Sequence, residues 1–389
     1  MWLTDTQAHE LVARYGNPLF VYSKGQLCAR AQELLGLSMP FDMTVRYAAK
    51  ANPHPEIIML FAELGLHFDA SSSFEAAALL HMGIPGSKIS LSSQQSAHDL
   101  AALLDAGVQY VATSMRQLKL FAEAAGPGAT VGLRVNPSID GAGHSNRTST
   151  GGVTSSFGLW HEYVAQALSF AASKEITIDR VHIHVGSGAD PAIWGTVMDM
   201  ALSVVRRMPE VTVLDIGGGY KVSRAPSERE TDMQLIAKEF STRLEAFAHE
   251  TNRKLRVEIE PGTWLVAHAG VLLAQIDDMV DTGDEGYTFL RLNTGMNDII
   301  RPAMYGAQHD IRVLSTVTEE AEYIVVGHNC ETGDILTPAP GNAEHFVTRR
   351  LRKASIGDLI AIADAGAYCA SFSVKEYNAY PSAAEVLVP

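Results

Sequence analysis

One pattern dominates this chain. Between residues 43 and 262, short β-rich runs alternate with longer stretches that are apolar at helical spacing. The strand-like runs are MTVRYAA (43–49), LHFDA (66–70), KISLS (88–92), QYVAT (109–113), TVGLRV (130–135), DRVHIHV (179–185), VTVLDI (211–216) and LRVEIE (255–260). Between most of them lie helical patterns such as FEAAALLHMG and AIWGTVMDMALSVVRRM. Strand–helix alternation implies parallel strands joined by right-handed crossovers. Eight such units in roughly 220 residues suit a closed (β/α)8 TIM barrel, an α/β fold, with an open doubly wound sheet as the alternative.

After residue 265 the texture changes. VLLAQIDDMV, GYTFLRLNT, EYIVVGHN, DLIAIADA and AEVLVP are strand-like with little helix between them, which predicts a second, mostly β domain. The opening NPLFVYS (17–23) is also strand-like and is expected to pair into that domain. The expected division is therefore a barrel over 26–265 and a β unit made of 1–25 plus 266–389. The polar stretch GAGHSNRTSTGGVTSSFG (141–158) is long enough to be a functional loop.

Composition excludes several classes. At 47% hydrophobic and 19% charged, the chain can bury a large core and is too apolar for disorder. A net charge of −14 argues against nucleic acid or an acidic membrane as partner, though a local field can still hold a small anion. No apolar run approaches the ~18 residues of a membrane helix. The start, MWLTDTQAHELVARYG, has no basic stretch followed by an apolar core, so no secretory signal is expected. Cys28, Cys330 and Cys369 have neither pairing nor metal-ligand spacing, which points to a reducing cytoplasm and no metal.

A barrel enzyme carries its site at the C-terminal strand ends. Those ends supply Lys50, Asp69, Ser92, Asn136, His184, Gly217 to Gly219 and Glu260. Lys50 ends the run YAAKAN, where partial desolvation would lower its pKa and let it attack a carbonyl. DIGGGY (215–220) offers successive backbone N–H groups to a phosphate. In HIHVGSG (182–188), His184 could stack on a flat ring and Ser187 could bond a phosphate oxygen. Glu260, in EIEPGTW, could hold a protonated pyridine nitrogen. Singly, these are a solvated lysine, a tight turn, a core histidine and a surface acid. Together they meet the four needs of pyridoxal phosphate: an imine-forming amine, a ring-stacking group, a phosphate nest and a pyridinium partner.

The motifs YGNPLFVY, YAAKAN, FDASS, RVNP, HIHVGSG, DIGGGY, EPG, GMNDIIRPAMYGAQH, CETGD, DAGAY and YNAYP, with AEVLV after it, run in order through the chain. On these the sequence resembles the fold-type III pyridoxal-phosphate decarboxylases, the group of ornithine, arginine and diaminopimelate decarboxylases. The resemblance implies an alanine racemase-like barrel-plus-β architecture and pyridoxal 5'-phosphate as cofactor. Lys50 would carry the cofactor, His184 stack on it and Glu260 bind its ring nitrogen. Asp69, Ser187, Gly217, Gly218, Gly219, Gly262, Thr263 and Tyr377 would complete the cofactor site. Arg301, Tyr305 and Tyr377 would bind substrate. Cys330 and Glu331 would reach the site from the other subunit of a homodimer, Cys330 as proton donor and Glu331 on a distal amino group. The implied reaction is decarboxylation of meso-diaminopimelate to L-lysine.

Three departures bear on substrate. The family's EPGR is EPGT here, so Thr263 replaces an arginine, a charge-assisted contact worth about 1.5–3 kcal/mol. A lysine usual before Phe-Gly is Ser156, and an arginine usual in the YN motif is Tyr380. Arg134, Arg147 and Arg291 are candidates to compensate. The alternatives are a decarboxylase of D-lysine, D-ornithine or carboxynorspermidine, an alanine racemase, and a non-catalytic cofactor-binding homologue.

Overall fold

The computed structural model describes residues 1–138, 151–226 and 228–389. Among them, eight parallel strands form a ring: Met43–Ala48, His67–Ala70, Ile89–Ser92, Gln109–Ala112, Thr130–Asn136, Thr177–His182, Val213–Asp215 and Arg256–Ile259. Each pairs with the next in chain order, and the eighth pairs with the first through Val257 and Met43. That last pairing closes the barrel and rules out an open sheet.

The strands alternate with a period of two, and both faces are buried. Val45, Tyr47, Phe68, Leu91, Leu133, Val181, Leu214 and Val257 face out beneath the helices and form the apolar core. The inward positions are polar, where bulky aliphatics commonly fill such a barrel. Low in the lumen, Arg46 grips Glu258 through Nε–Oε2 at 2.8 Å and Nη2–Oε1 at 3.0 Å. Arg180 Nη2 reaches the same carboxylate at 3.3 Å and donates to Gln109 Oε1 at 2.6 Å. Gly132 makes room for this: a Cβ there would meet Val111 Cγ2 at 2.8 Å and Arg180 Cδ at 3.2 Å.

The sixth strand ends at His182, three residues short of the run read from sequence. Beyond it the Ile183 amide donates to Asp215 O at 2.8 Å, and the chain lifts over the rim to a single bridge between Gly188 and Tyr220. His184 and Ser187 therefore sit above the barrel.

Eight of the remaining strands form a second sheet, mostly antiparallel. Its long strand, Gly270–Asp281, follows the eighth barrel strand by two short helical turns. Leu19–Ser23 pairs antiparallel with it and parallel with Ala384–Val388, so NPLFVYS joins this sheet as its pattern suggested.

Candidate active site

Lys50 lies in the turn Ala49–Ala51, two residues past the end of the first strand. Its Nζ donates to Asp69 Oδ2 at 3.1 Å and to Ser71 Oγ at 2.8 Å. Desolvation opposes its charge, but the fields of Asp69, Tyr368 and Glu260 overcome it and raise the pKa. The lowered pKa expected from the sequence is thus reversed, because the strand next door delivers a buried carboxylate to the amine.

Below Lys50, the upper lumen gathers His182, Asp215 and Glu260 from the last three strands. Their ligating atoms lie within 4.8 Å of one another. Burial raises the pKa of both carboxyls, helped by the field of Glu260 at Asp215, which rises well above its usual value, and by the field of Asp69 at Glu260, which rises to about 7. Burial also pulls His182 down to about 4, so its imidazole is neutral. Such a trio has the composition of a metal site, which no sequence spacing revealed since each member comes from a different strand. Asp215 is further committed: its Oδ1 accepts the Gly217 amide at 2.9 Å.

That bond starts the glycine turn. Gly217 and Gly219 have φ of +72° and +102°, and a Cβ on Gly218 or Gly219 would fall 2.1 or 1.9 Å from the carbonyl oxygen of Glu260 or Gly186. The Gly218 amide donates to His184 Nδ1 at 3.0 Å, which leaves the proton of the imidazole on Nε2. Burial, reinforced by Arg134 and Lys50, holds His184 neutral. The nest, the histidine and the Glu260 backbone are therefore one interlocked unit, the Glu260 amide donating to Gly217 O at 2.8 Å.

Several polar atoms here are buried without a hydrogen-bond partner: Asp69 Oδ1, Ser92 Oγ, both nitrogens of His182 (Nε2 stands 3.4 Å from Glu260 Oε2), Asp215 Oδ2, Tyr220 Oη and Glu260 Oε1. Each unmatched group costs about 1–3 kcal/mol, and so many along one wall mark where a polar ligand belongs. A neutral histidine, an unpaired carboxylate oxygen, a glycine cradle and an amine suit pyridoxal phosphate.

Other sequence candidates fall into groups. Asn136 is structural, exchanging bonds with Gly152 in both directions at 3.0 Å. Gly262 abuts the turn of Lys50, with Ala51 Cβ 3.0 Å and Tyr368 Oη 3.4 Å from where its Cβ would stand. Thr263 opens the short helix Thr263–Val266, and Arg301 opens Arg301–Tyr305, whose Tyr305 ring stacks with Phe372. Tyr377 is half-buried in a surface turn. Cys330 and Glu331 are exposed, and the Cys330 amide donates to Asn378 Oδ1 at 2.8 Å. Ser156 accepts a bond from Gln94 Nε2 at 3.3 Å, and Tyr380 stacks on His328 with centroids 3.7 Å apart.

Of the candidates to replace the charge absent at Thr263, Arg134 is buried in the lumen, 4.9 Å over the Phe157 ring. Its field reaches Glu260 and Asp69. Arg291 is tied to Asp278 at 3.0 Å on the exposed face of the second sheet. Arg147 and positions 141–150 of the polar loop lie outside the described residues. Ser71, Tyr368, His182 and Asp215 join the site without having been singled out as site residues. Period-two counting from Glu260 and Gly217 would have found Asp215, and HIH would have found His182.

Comparison with known proteins agrees with this geometry. Residues 25–267 match the family model described as pyridoxal-dependent decarboxylase, pyridoxal binding domain. Diaminopimelate decarboxylase of Streptomyces coelicolor is 32% identical, covering 97% of this chain and 85% of that protein. The enzyme of Escherichia coli K12 is likewise 32% identical, over 99% and 92%. A crystal structure of a diaminopimelate decarboxylase superposes with a TM-score of 0.88 at 30% identity, covering 99% and 92% of the two chains. That of Helicobacter pylori, complexed with L-lysine, gives 0.86 at 26%, covering 98% and 94%. The chain belongs to the pyridoxal-dependent decarboxylases.

Proposed function

We propose that this protein uses pyridoxal phosphate to convert meso-diaminopimelate to L-lysine and carbon dioxide. The observation that carries the chemistry is the interlocked rim. Lys50, His184, the glycine turn and Glu260 arise on separate strands and converge on one mouth whose wall holds unpaired polar atoms. The substrate assignment is supported by relatives of that name matching nearly the whole chain.

Lys50 would hold the cofactor, with Asp69 and Ser71 placing its Nζ. Gly217 to Gly219, Ser187, Gly262, Thr263 and Tyr377 would take the phosphate, His184 the ring face and Glu260 the ring nitrogen. When bound, the cofactor supplies an electron sink for the pair left behind as carbon dioxide departs. Glu260, whose carboxyl burial and the field of Asp69 push up to about 7, would face that ring nitrogen and share a proton with it. Arg301 and Tyr305 would grip the distal carboxylate. Cys330 and Glu331 are exposed, as residues lent to a partner subunit must be. In a homodimer Cys330 would return a proton to the carbon that lost carbon dioxide, and Glu331 would hold the distal amine.

The site would then lie between a barrel unit (26–265) and a β unit (1–25 with 266–389). Among the described residues no helix is long and apolar enough to cross a membrane. The three unpaired thiols suit a reducing cytoplasm. The test is carbon dioxide release from meso-diaminopimelate beside D-lysine on the cofactor-loaded protein. Turnover of the first with the second inert is expected; turnover of D-lysine alone would overturn the substrate.

A further inference from the structure

We infer that Arg224, from the loop after the glycine turn, acts with Arg301 as a two-guanidinium clamp for the substrate's distal carboxylate, in place of the arginine that Thr263 lacks. This rests on the substrate reading above and names how this chain achieves it.

Arg224 is nine residues past the seventh strand, in GYKVSRAP, outside any motif of the resemblance. Its loop is fastened onto the turn that carries Thr263. Trp264 Nε1 donates to Thr231 O at 3.3 Å, and Thr231 in turn donates through its amide to Lys221 O at 3.0 Å. Arg224 Nη2 and Arg301 Nε are both buried and both without a partner. Among the described residues neither guanidinium forms an ion pair with a carboxylate.

The nearby acids are already engaged. Asp364 Oδ1 takes His268 Nδ1 at 2.6 Å, and Glu230 takes His268 at 3.2 Å and Arg30 at 2.5 Å. Glu228 Oε2 accepts the backbone amide of Arg224 at 2.8 Å. The guanidinium itself has one long bond, Nε to the Asp364 carbonyl at 3.4 Å. Desolvation, and then the field of Arg301, pushes Arg224 down to about 9. Lys221 feels both arginines as well, its own pKa lowered by burial first. Two half-buried cations whose fields oppose each other, each with a buried donor idle, are stabilised by an anion between them. Guanidinium forks bind a carboxylate in two-point fashion.

The segment 364–368 joins Arg224 to the turn that carries the cofactor lysine. Arg224 Nε donates to the Asp364 carbonyl at 3.4 Å, and the Tyr368 amide donates to Ala51 O at 2.8 Å, beside Lys50. An anion held between Arg224 and Arg301 is thus near the reacting amine, on the side of the β unit.

L-lysine keeps the distal carboxylate of diaminopimelate, and cadaverine lacks it. Calorimetric titration of the cofactor-loaded protein with each therefore isolates the clamp without turnover. Arg224→Gln should weaken L-lysine about tenfold or more while leaving cadaverine, and pyridoxal phosphate measured by absorbance, within about twofold. Arg224→Lys, which keeps the charge but not the fork, should fall between the two and guards against a folding defect in the first variant. Equal weakening of L-lysine and cadaverine, or no weakening, overturns the clamp. Loss of pyridoxal phosphate affinity alone overturns it in favour of the cofactor's phosphate. If the unmutated protein prefers cadaverine to L-lysine, it is the substrate reading that fails.

Discussion

Two layers of one barrel lumen are equally buried and oppositely satisfied. In the lower layer Arg46, Arg180, Gln109 and Ser90 surround Glu258, and both of its carboxylate oxygens are in use. The guanidiniums pull the Glu258 pKa down despite burial. In the upper layer Asp69, Asp215 and Glu260 leave an oxygen each unpaired, and His182 has neither nitrogen bonded. Here burial and mutual repulsion win, and the pKa values of Asp215 and Glu260 rise. A polar layer that satisfies all but one of its groups, here Arg180 Nε, is framework. One that does not is a site awaiting its ligand.

The largest difference should appear in activity. Glu260→Gln removes the charge that would face the ring nitrogen and should lower kcat by about 10²–10³, as loss of one preorganised electrostatic contact does. Its resistance to urea should be unchanged or improved, since the native upper layer is strained by unmatched charge. A variant that keeps full turnover would remove Glu260 from the chemistry.

Glu258→Gln tests the other layer. It strands two buried guanidiniums, and breaking a buried ion pair from one side costs about 3–5 kcal/mol. Urea unfolding should register that loss, whereas a change under 1 kcal/mol would show the lower layer to be dispensable as framework.

A smaller effect sharpens the contrast at a wetter place. His268 is gripped by Asp364 and Glu230, which raise its pKa to about 9 against the cost of burial. A folded pKa above the unfolded value of about 6.5 means the stabilisation is complete below pH 6.5 and is lost as pH rises through about 9. With a quarter of the side chain exposed, roughly 1–2 kcal/mol is expected. His268→Gln should flatten the dependence of stability on pH between those values; an unchanged slope would place the titration elsewhere.

The barrel was legible because apolar runs and helical spacing recur eight times, and seven of the runs match their strands to within about two residues. The sixth differs because its motif leaves the ladder to carry His184 over the rim. The strand-end rule found Lys50, His184 and Glu260. It was silent on the lumen beneath, since Arg46, Arg180 and Glu258 stand below the strand ends, and their pairing is set by barrel closure. The helix Asp5–Tyr15 was legible but passed over: Thr4 and Gln7 form a capping box and Gly16 ends it. Arg224 could not be found by position in a motif. Its meaning lies in which acids around it are already taken.

The central claim is that the rim gathers around Lys50 as the cofactor's attachment point. Reducing the cofactor-loaded protein with borohydride and mapping the pyridoxyl label by peptide mass tests it directly. The label should sit on Lys50, in the peptide that contains YAAKAN, and should vanish in Lys50→Ala. Label on another lysine, or the same label persisting without Lys50, would contradict the account.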